Sequence, residues 1–302
     1  MVPQIDLCQD GPRFSRLVHG LWRLADWKHS PKETADLIAH CLDEGITTFD
    51  HADIYGEYTC ESLFGAALAE TGVDRSTIQI VTKCGIKLVS ENRPAHTGKS
   101  YDTSKAHIVA SVETSLKNLR TDYIDLLLIH RPDPLLDLEE VNAAFVSLRD
   151  AGKVRHFGVS NFLPSQFDML AAHLDVPLVT NQIEYSVLQR GAEADGSIDL
   201  CQERGLRPMA WSPFGGGRLF HEDSAQAKRV RETLHEIGRD LGGASSDQVA
   251  LAWVLKHPAS FLPVLGTGKA SRITKAVETL DLTLSREQWF RVWQASAGHD
   301  IP

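Results

Sequence analysis

The stretch YIDLLLIHRPDPLLDLEEVNAAFVSLRDAGKVRHFGVS, residues 123–160, decides the fold. It opens on a near-continuous apolar run, Tyr123 to His130. It passes through an amphipathic helical pattern, LEEVNAAFVSLRDAG. It closes on a second apolar run, VRHFGVS (154–160). Strands buried on both faces read this way, because neither face can be given over to polar residues.

The same alternation recurs along the chain on both sides of this stretch. The remaining strand candidates are LVHGLW (17–22), ITTFDHA (46–52), IQIVTKC (78–84), LVTNQIE (178–184), RPMAWS (207–212) and FLPVLG (261–266). Helical patterns lie between them. In PKETADLIAHCLDEG, Ala35, Ile38, Cys41 and Leu42 form one apolar stripe. Pro31 opens that helix and Gly45 stops it, the expected asymmetry of helix ends. Eight strand-helix units imply an α/β fold, a single (β/α)8 TIM barrel spanning residues 1–302. An open doubly wound sheet would carry G-x-G-x-x-G after its first strand, and no such match exists. Two connections, residues 86–103 and 215–227, are long enough to be lids or binding loops. The tail LSREQWFRVWQASAGHDIP reads as an extra C-terminal helix that packs outside the barrel or folds over its mouth.

Composition narrows the partners. Hydrophobic residues are 42% of the chain and charged residues 24%, which excludes wholesale disorder. A formal charge of −9 repels phosphate backbones, so no nucleic acid partner is expected. The N-terminal residues lack a basic, apolar leader pattern, and no apolar run reaches the roughly 18 residues of a membrane span. A soluble cytoplasmic protein with no membrane partner is expected. Cys8, Cys41, Cys60, Cys84 and Cys201 are odd in number and widely spaced, so neither disulfides nor a zinc cluster is expected. No motif specifies an oligomeric state.

In a barrel the active site lies at the C-terminal ends of the strands. Those ends carry Asp50, His51, Asp53 and Tyr55; Lys83; His130 and Arg131; Ser160 and Asn161; Asn181, Gln182 and Glu184; Trp211 and Ser212. A lysine at the end of a core strand needs a carboxylate partner, and Asp50 can be it. A cation beside a phenol is expected to lower its pKa and make Tyr55 a general acid. His130 can hydrogen-bond the same oxygen or orient a carbonyl. That arrangement suits the oxygen charge that develops as a carbonyl accepts hydride from a cofactor. Trp211 can stack on a nicotinamide, with Ser160, Asn161 and Gln182 holding its carboxamide. Gly266 to Lys269 precede a helix N-terminus, and Lys269, Arg272 and Lys275 add positive charge suited to a phosphate.

The ordered motifs FDHADIYG (49–56), VTKCG (81–85), DLLLIHRPD (125–133), GKVRHFGVSNF (152–162), WSPFGGGRL (211–219) and PVLGTGKASR (263–272) resemble the aldo-keto reductase superfamily, in its bacterial short-loop form. The resemblance implies a barrel that binds NADPH or NADP+, in preference to NADH, in extended form. It implies Tyr55 as general acid tuned by Asp50 and Lys83, with His130 orienting a small-molecule carbonyl substrate. It implies Ser160, Asn161 and Gln182 at the carboxamide and Trp211 under the nicotinamide. Ser212, Phe214 and Gly217 would line the pyrophosphate, and Gly268, Lys269 and Arg272 the 2′-phosphate. His51 stands where threonine is common, Gly268 where arginine is common, and Lys275 and Ala276 where an acid and an asparagine often meet adenine. Trp22, Trp27 and Tyr185 are candidates for an apolar substrate wall or for core.

Three other readings of the same residues remain open: a Schiff-base lyase using Lys83 as the amine, a metal hydrolase using His51, Asp53, His130 and Asp133, and a regulatory subunit that senses bound cofactor.

Overall fold

The computed structural model describes all 302 residues, Met1–Pro302. Eight parallel strands close into a barrel: β1 (Val18–Gly20), β2 (Thr48–Asp50), β3 (Gln79–Cys84), β4 (Ile124–Ile129), β5 (Val154–Ser160), β6 (Leu178–Glu184), β7 (Met209–Trp211) and β8 (Leu262–Leu265). β8 pairs with β1 through Val264 and Val18, which completes the ring. Every strand lies inside the apolar run that announces it.

Alternation along these strands divides two cores. Leu126 and Leu128 of β4 join Val18, Val81, Met209, Leu262 and Val264 inside the barrel. Leu127 and Ile129 face outward onto Val141 and Phe145 of helix Leu138–Asp150. The period of two then carries the inward register past each strand's last apolar residue. Asp50, Lys83, His130 and Ser160 fall on that inward register at the mouth. A hairpin of Gln4–Asp6 and Arg13–Ser15, not marked by the sequence patterns, closes the opposite end. Its Leu7 and Phe14 are fully buried in the inner core. Each such burial stabilises the fold by about 2 kcal/mol.

Helix Pro31–Asp43 follows its pattern. Ser30 accepts from the Glu33 amide, and Glu33 accepts back from the Ser30 amide at 2.8 Å. Ala35, Ile38 and Cys41 are buried. Gly45, at φ 88°, turns the chain into β2.

The long connections are structured. In 86–103, Ile86–Lys87 pairs with Ser100–Tyr101 as a short antiparallel ribbon. In 215–227, a 3-10 turn at Gly215–Gly217 leads to helix Arg218–His221, and helix Ala225–Asp240 absorbs the end. The C-terminal helix Arg286–Ala297 packs on the outside, not over the mouth. Trp289 stacks on Trp253 at 4.8 Å, and each indole N–H donates to the other's backbone carbonyl. No helix is long and apolar enough to cross a membrane.

Candidate active site

At the mouth the inward register gathers a buried polar cluster. Lys83 is 1% exposed, and its ammonium donates to Asp50 Oδ2 at 2.7 Å, to the His51 carbonyl at 2.6 Å and to Tyr55 Oη at 3.2 Å. Three acceptors match the three N–H groups of an ammonium. Gln182 Nε2 donates to Asp50 Oδ1 at 2.8 Å, so both carboxylate oxygens are held. Burial alone would lower the Lys83 pKa, but Asp50 and Tyr55 outweigh it and hold it above the ordinary value. The lysine stays charged.

Tyr55 departs from expectation. Burial is the larger effect and raises the phenol above its ordinary value, although Lys83 pulls the other way. The cation is present, but desolvation of a would-be phenolate wins. His130 meets the Tyr55 ring edge-on at 5.9 Å. Burial first, then Lys83 and Arg131, push its pKa well below the ordinary value, so the imidazole is neutral.

From Tyr55 a cleft of about 1110 Å³ runs across the mouth to Arg272. That exceeds the roughly 300–1,000 Å³ of a site for a drug-sized ligand. Asp50, Tyr55, His130, Ser160, Asn161, Gln182, Trp211, Ser212, Phe214, Gly217 and Arg272 all line it, as does Trp22. Trp211 Nε1 donates to Asn161 Oδ1 at 2.9 Å, and Asn161 Nδ2 donates to Ser160 Oγ at 2.8 Å. These bonds fix the indole plane. Asn161 (φ 61°) and Ser212 (φ 52°) take left-handed backbone just after β5 and β7, a costly conformation seen where side chains are held for function. Gly216 and Gly217, at φ 66° and 94°, let the next loop lie along the cleft, where the Gly216 carbonyl accepts from Arg23 Nη2 at 2.7 Å.

Gly268 and Lys269 stand outside the cleft wall. Gly268 instead packs under Trp27, whose ring would lie 2.7 Å from an added Cβ. Gly266 and Thr267 line the cleft in their place. Tyr185 belongs to the core, stacked on Phe261 at 4.5 Å. The residues considered for a metal site are dispersed. His51 and Asp53 are buried outside the cleft wall, and Asp133 accepts from Thr103 Oγ1 at 2.9 Å.

Asp247 and Gln248 also line the far end, unannounced by the strand pattern. They open helix Ser246–Leu255, and the Ser-x-x-Gln spacing of its cap (Ser245, Gln248) is the signal that could have found them. Asp247 pairs with Lys275 at 3.4 Å, which neutralises that end of the cleft apart from Arg272.

A protonated phenol held to a buried ammonium, at the head of a long cleft in a parallel barrel, places the chain among barrel oxidoreductases. The chain belongs to the aldo/keto reductase family, whose model matches residues 16–297. It is 54% identical over 299 residues to the uncharacterized oxidoreductase YcsN of Bacillus subtilis, covering 99% of each chain. It is 43% identical to a 6-dehydroglucose reductase of Agrobacterium fabrum, covering 97% of each. Among solved structures, the thermostable aldo-keto reductase Tm1743, in complex with the inhibitor epalrestat, superposes with a TM-score of 0.81 at 27% identity, covering 98% of this chain and 99% of that one. The protein is accordingly an NAD(P)H-dependent oxidoreductase acting on small-molecule carbonyl compounds.

Proposed function

We propose that the protein reduces an aldehyde or ketone with NADPH, with Tyr55 as the proton donor. The observation that carries this reading is the single cleft joining Tyr55 to Arg272. The residues present fit a nicotinamide dinucleotide. Trp211 offers a fixed aromatic face, Gln182 Oε1 is free of hydrogen bonds, the glycine turn leaves room along the middle, and Arg272 has no ion pair at the far end. Bound there, the reduced nicotinamide would supply the hydride.

The chain's own groups do the rest. Tyr55 gives its proton to the carbonyl oxygen as charge develops there. Lys83 steadies the resulting phenolate through its 3.2 Å contact, and Asp50 keeps Lys83 charged and in place. His130, neutral and lining the cleft, has one N–H to direct the carbonyl. Lys83 itself is unsuited to a Schiff base, being charged, buried and held by three oxygens. The name of the Agrobacterium relative favours a sugar-derived aldehyde as substrate. Five free cysteines suit a reducing compartment and support a cytoplasmic setting.

Calorimetric titration with NADPH and NADH tests the cofactor half. NADPH should bind more tightly, and Arg272→Ala should weaken NADPH by about tenfold to a hundredfold, the worth of a charged hydrogen bond, while leaving NADH nearly unchanged. Equal losses on both cofactors would remove Arg272 from the 2′-phosphate.

A further inference from the structure

Two cations in the cleft are left without employment once hydride chemistry and phosphate binding have been assigned. Arg131 follows His130 at the end of β4, half-buried in the cleft wall. It has no ion pair and no hydrogen bond, and its one directional contact is over the Trp211 ring, at 5.5 Å from the centroid. It lies near the reacting groups, since it directly follows His130, whose ring meets Tyr55 edge-on at 5.9 Å. Lys99, beside the Ser100–Tyr101 ribbon, lines the same cleft and is also unpaired.

The other cleft cations are accounted for. Arg23 donates to Gly216, Lys275 pairs with Asp247, and Arg272 stands at the far end from Tyr55. In a chain with 40 acidic residues, carboxylates to pair with Arg131 and Lys99 are not scarce. A partly desolvated guanidinium without acceptors is unfavourable, so a ligand that brings acceptors gains by meeting it. Both groups are donors only. The apolar residues Trp22, Ile54, Ile86 and Leu88 also line the cleft and bring no charge to compete.

Resting on the reductase reading above, we infer that Arg131, with Lys99, reads oxygen substituents on the substrate's carbon chain. The preferred substrate is a carbonyl compound that carries hydroxyl or carboxylate oxygens, not a plain alkanal. Hydroxyls and a carboxylate present the same acceptor chemistry to a planar fork of N–H groups.

The test measures kcat/KM for propanal, D-glyceraldehyde and succinic semialdehyde in wild type, Arg131→Met, Arg131→Lys and Lys99→Met, with NADPH affinity by calorimetry. Wild type should favour at least one oxygenated substrate over propanal by about tenfold or more, the worth of a charge-assisted hydrogen bond. Arg131→Met should collapse that ratio, mainly through KM. Arg131→Lys should restore part of it for a carboxylate and little for hydroxyls, and the better substrate identifies which oxygens are read. A wild-type ratio near one, or a ratio unmoved in Arg131→Met, overturns the inference. So does a loss of NADPH affinity that matches the loss of activity, since it moves Arg131 onto the cofactor. Wild-type protein that binds NADPH yet reduces none of the three, nor any other aldehyde, defeats the reductase reading itself, a result separable from the others.

Discussion

Tyr55 keeps its proton because burial outweighs the cation beside it. An acid whose pKa is raised stays protonated to higher pH, so the donor form is present throughout the neutral range. Reduction should hold a level kcat from neutral pH until the phenol ionises, above its ordinary value near 10. A pH–rate profile that falls between pH 7 and 9 would contradict this. Tyr55→Phe removes the proton and leaves the cleft intact, so kcat should drop by about a hundredfold or more at nearly unchanged NADPH affinity. Residues of this kind were legible in the sequence, because a lysine, an acid and a histidine each ending an apolar strand conflict with burial unless they meet. The sign of the Tyr55 shift was not legible. It depends on how deeply the phenol is sunk, which the whole mouth decides.

Helix contacts set the next level. Helices Cys60–Thr71 and Lys105–Leu119 approach so closely at Gly65 that an added Cβ would lie 2.2 Å from the Asn118 carbonyl oxygen. Backbone cannot swing aside as a flexible side chain can. Gly65→Ala should therefore cost about 3 kcal/mol, the upper end for overpacking, as read by urea unfolding. A cost under about 1 kcal/mol would mean the helices can part. Strands were easier to read than helices. Near-continuous apolar runs mark β3, β4, β5 and β6 nearly residue for residue, because burial on both faces leaves little freedom. Asp247 and Gln248 escaped because their place on the mouth depends on where helix Ser246–Leu255 begins relative to β8, a tertiary matter. The cover of Trp27 over Gly268 escaped for the same reason, since nothing local announces it.

For the molecule as a whole, we propose that residues 1–302 unfold as one unit, since the inner core joins segments spread along the chain from Leu7 to Val264. A single urea transition seen by both fluorescence and circular dichroism is expected, and two separated transitions would contradict it. Acid adds a further check. His19 is buried without a hydrogen-bond partner, and burial lowers its pKa to about 4. A lowered folded-state pKa means its stabilising share is present above about 6.5 and is lost as pH falls toward 4. Asp53 and Glu61, raised by burial, work in the opposite direction, so wild type alone does not isolate the effect. The difference between His19→Leu and wild type does. It should be flat above pH 6.5 and shift toward the variant by about 1.4 kcal/mol per pH unit below it. A pH-independent difference would mean that His19 titrates normally.

The closed barrel was legible because eight buried strands in one chain leave few other topologies. The cleft's substrate end was not, because its walls come from connections whose paths follow no period. Proton donation by Tyr55 to a carbonyl, as a bound nicotinamide reduces it, is read in a single turnover. Protein preloaded with one equivalent of NADPH is mixed with excess aldehyde, and the absorbance of the reduced nicotinamide is followed. Wild type should show rapid, complete loss of that absorbance, and Tyr55→Phe equal binding with decay slowed about a hundredfold or more. Decay at the same rate in both proteins would contradict it.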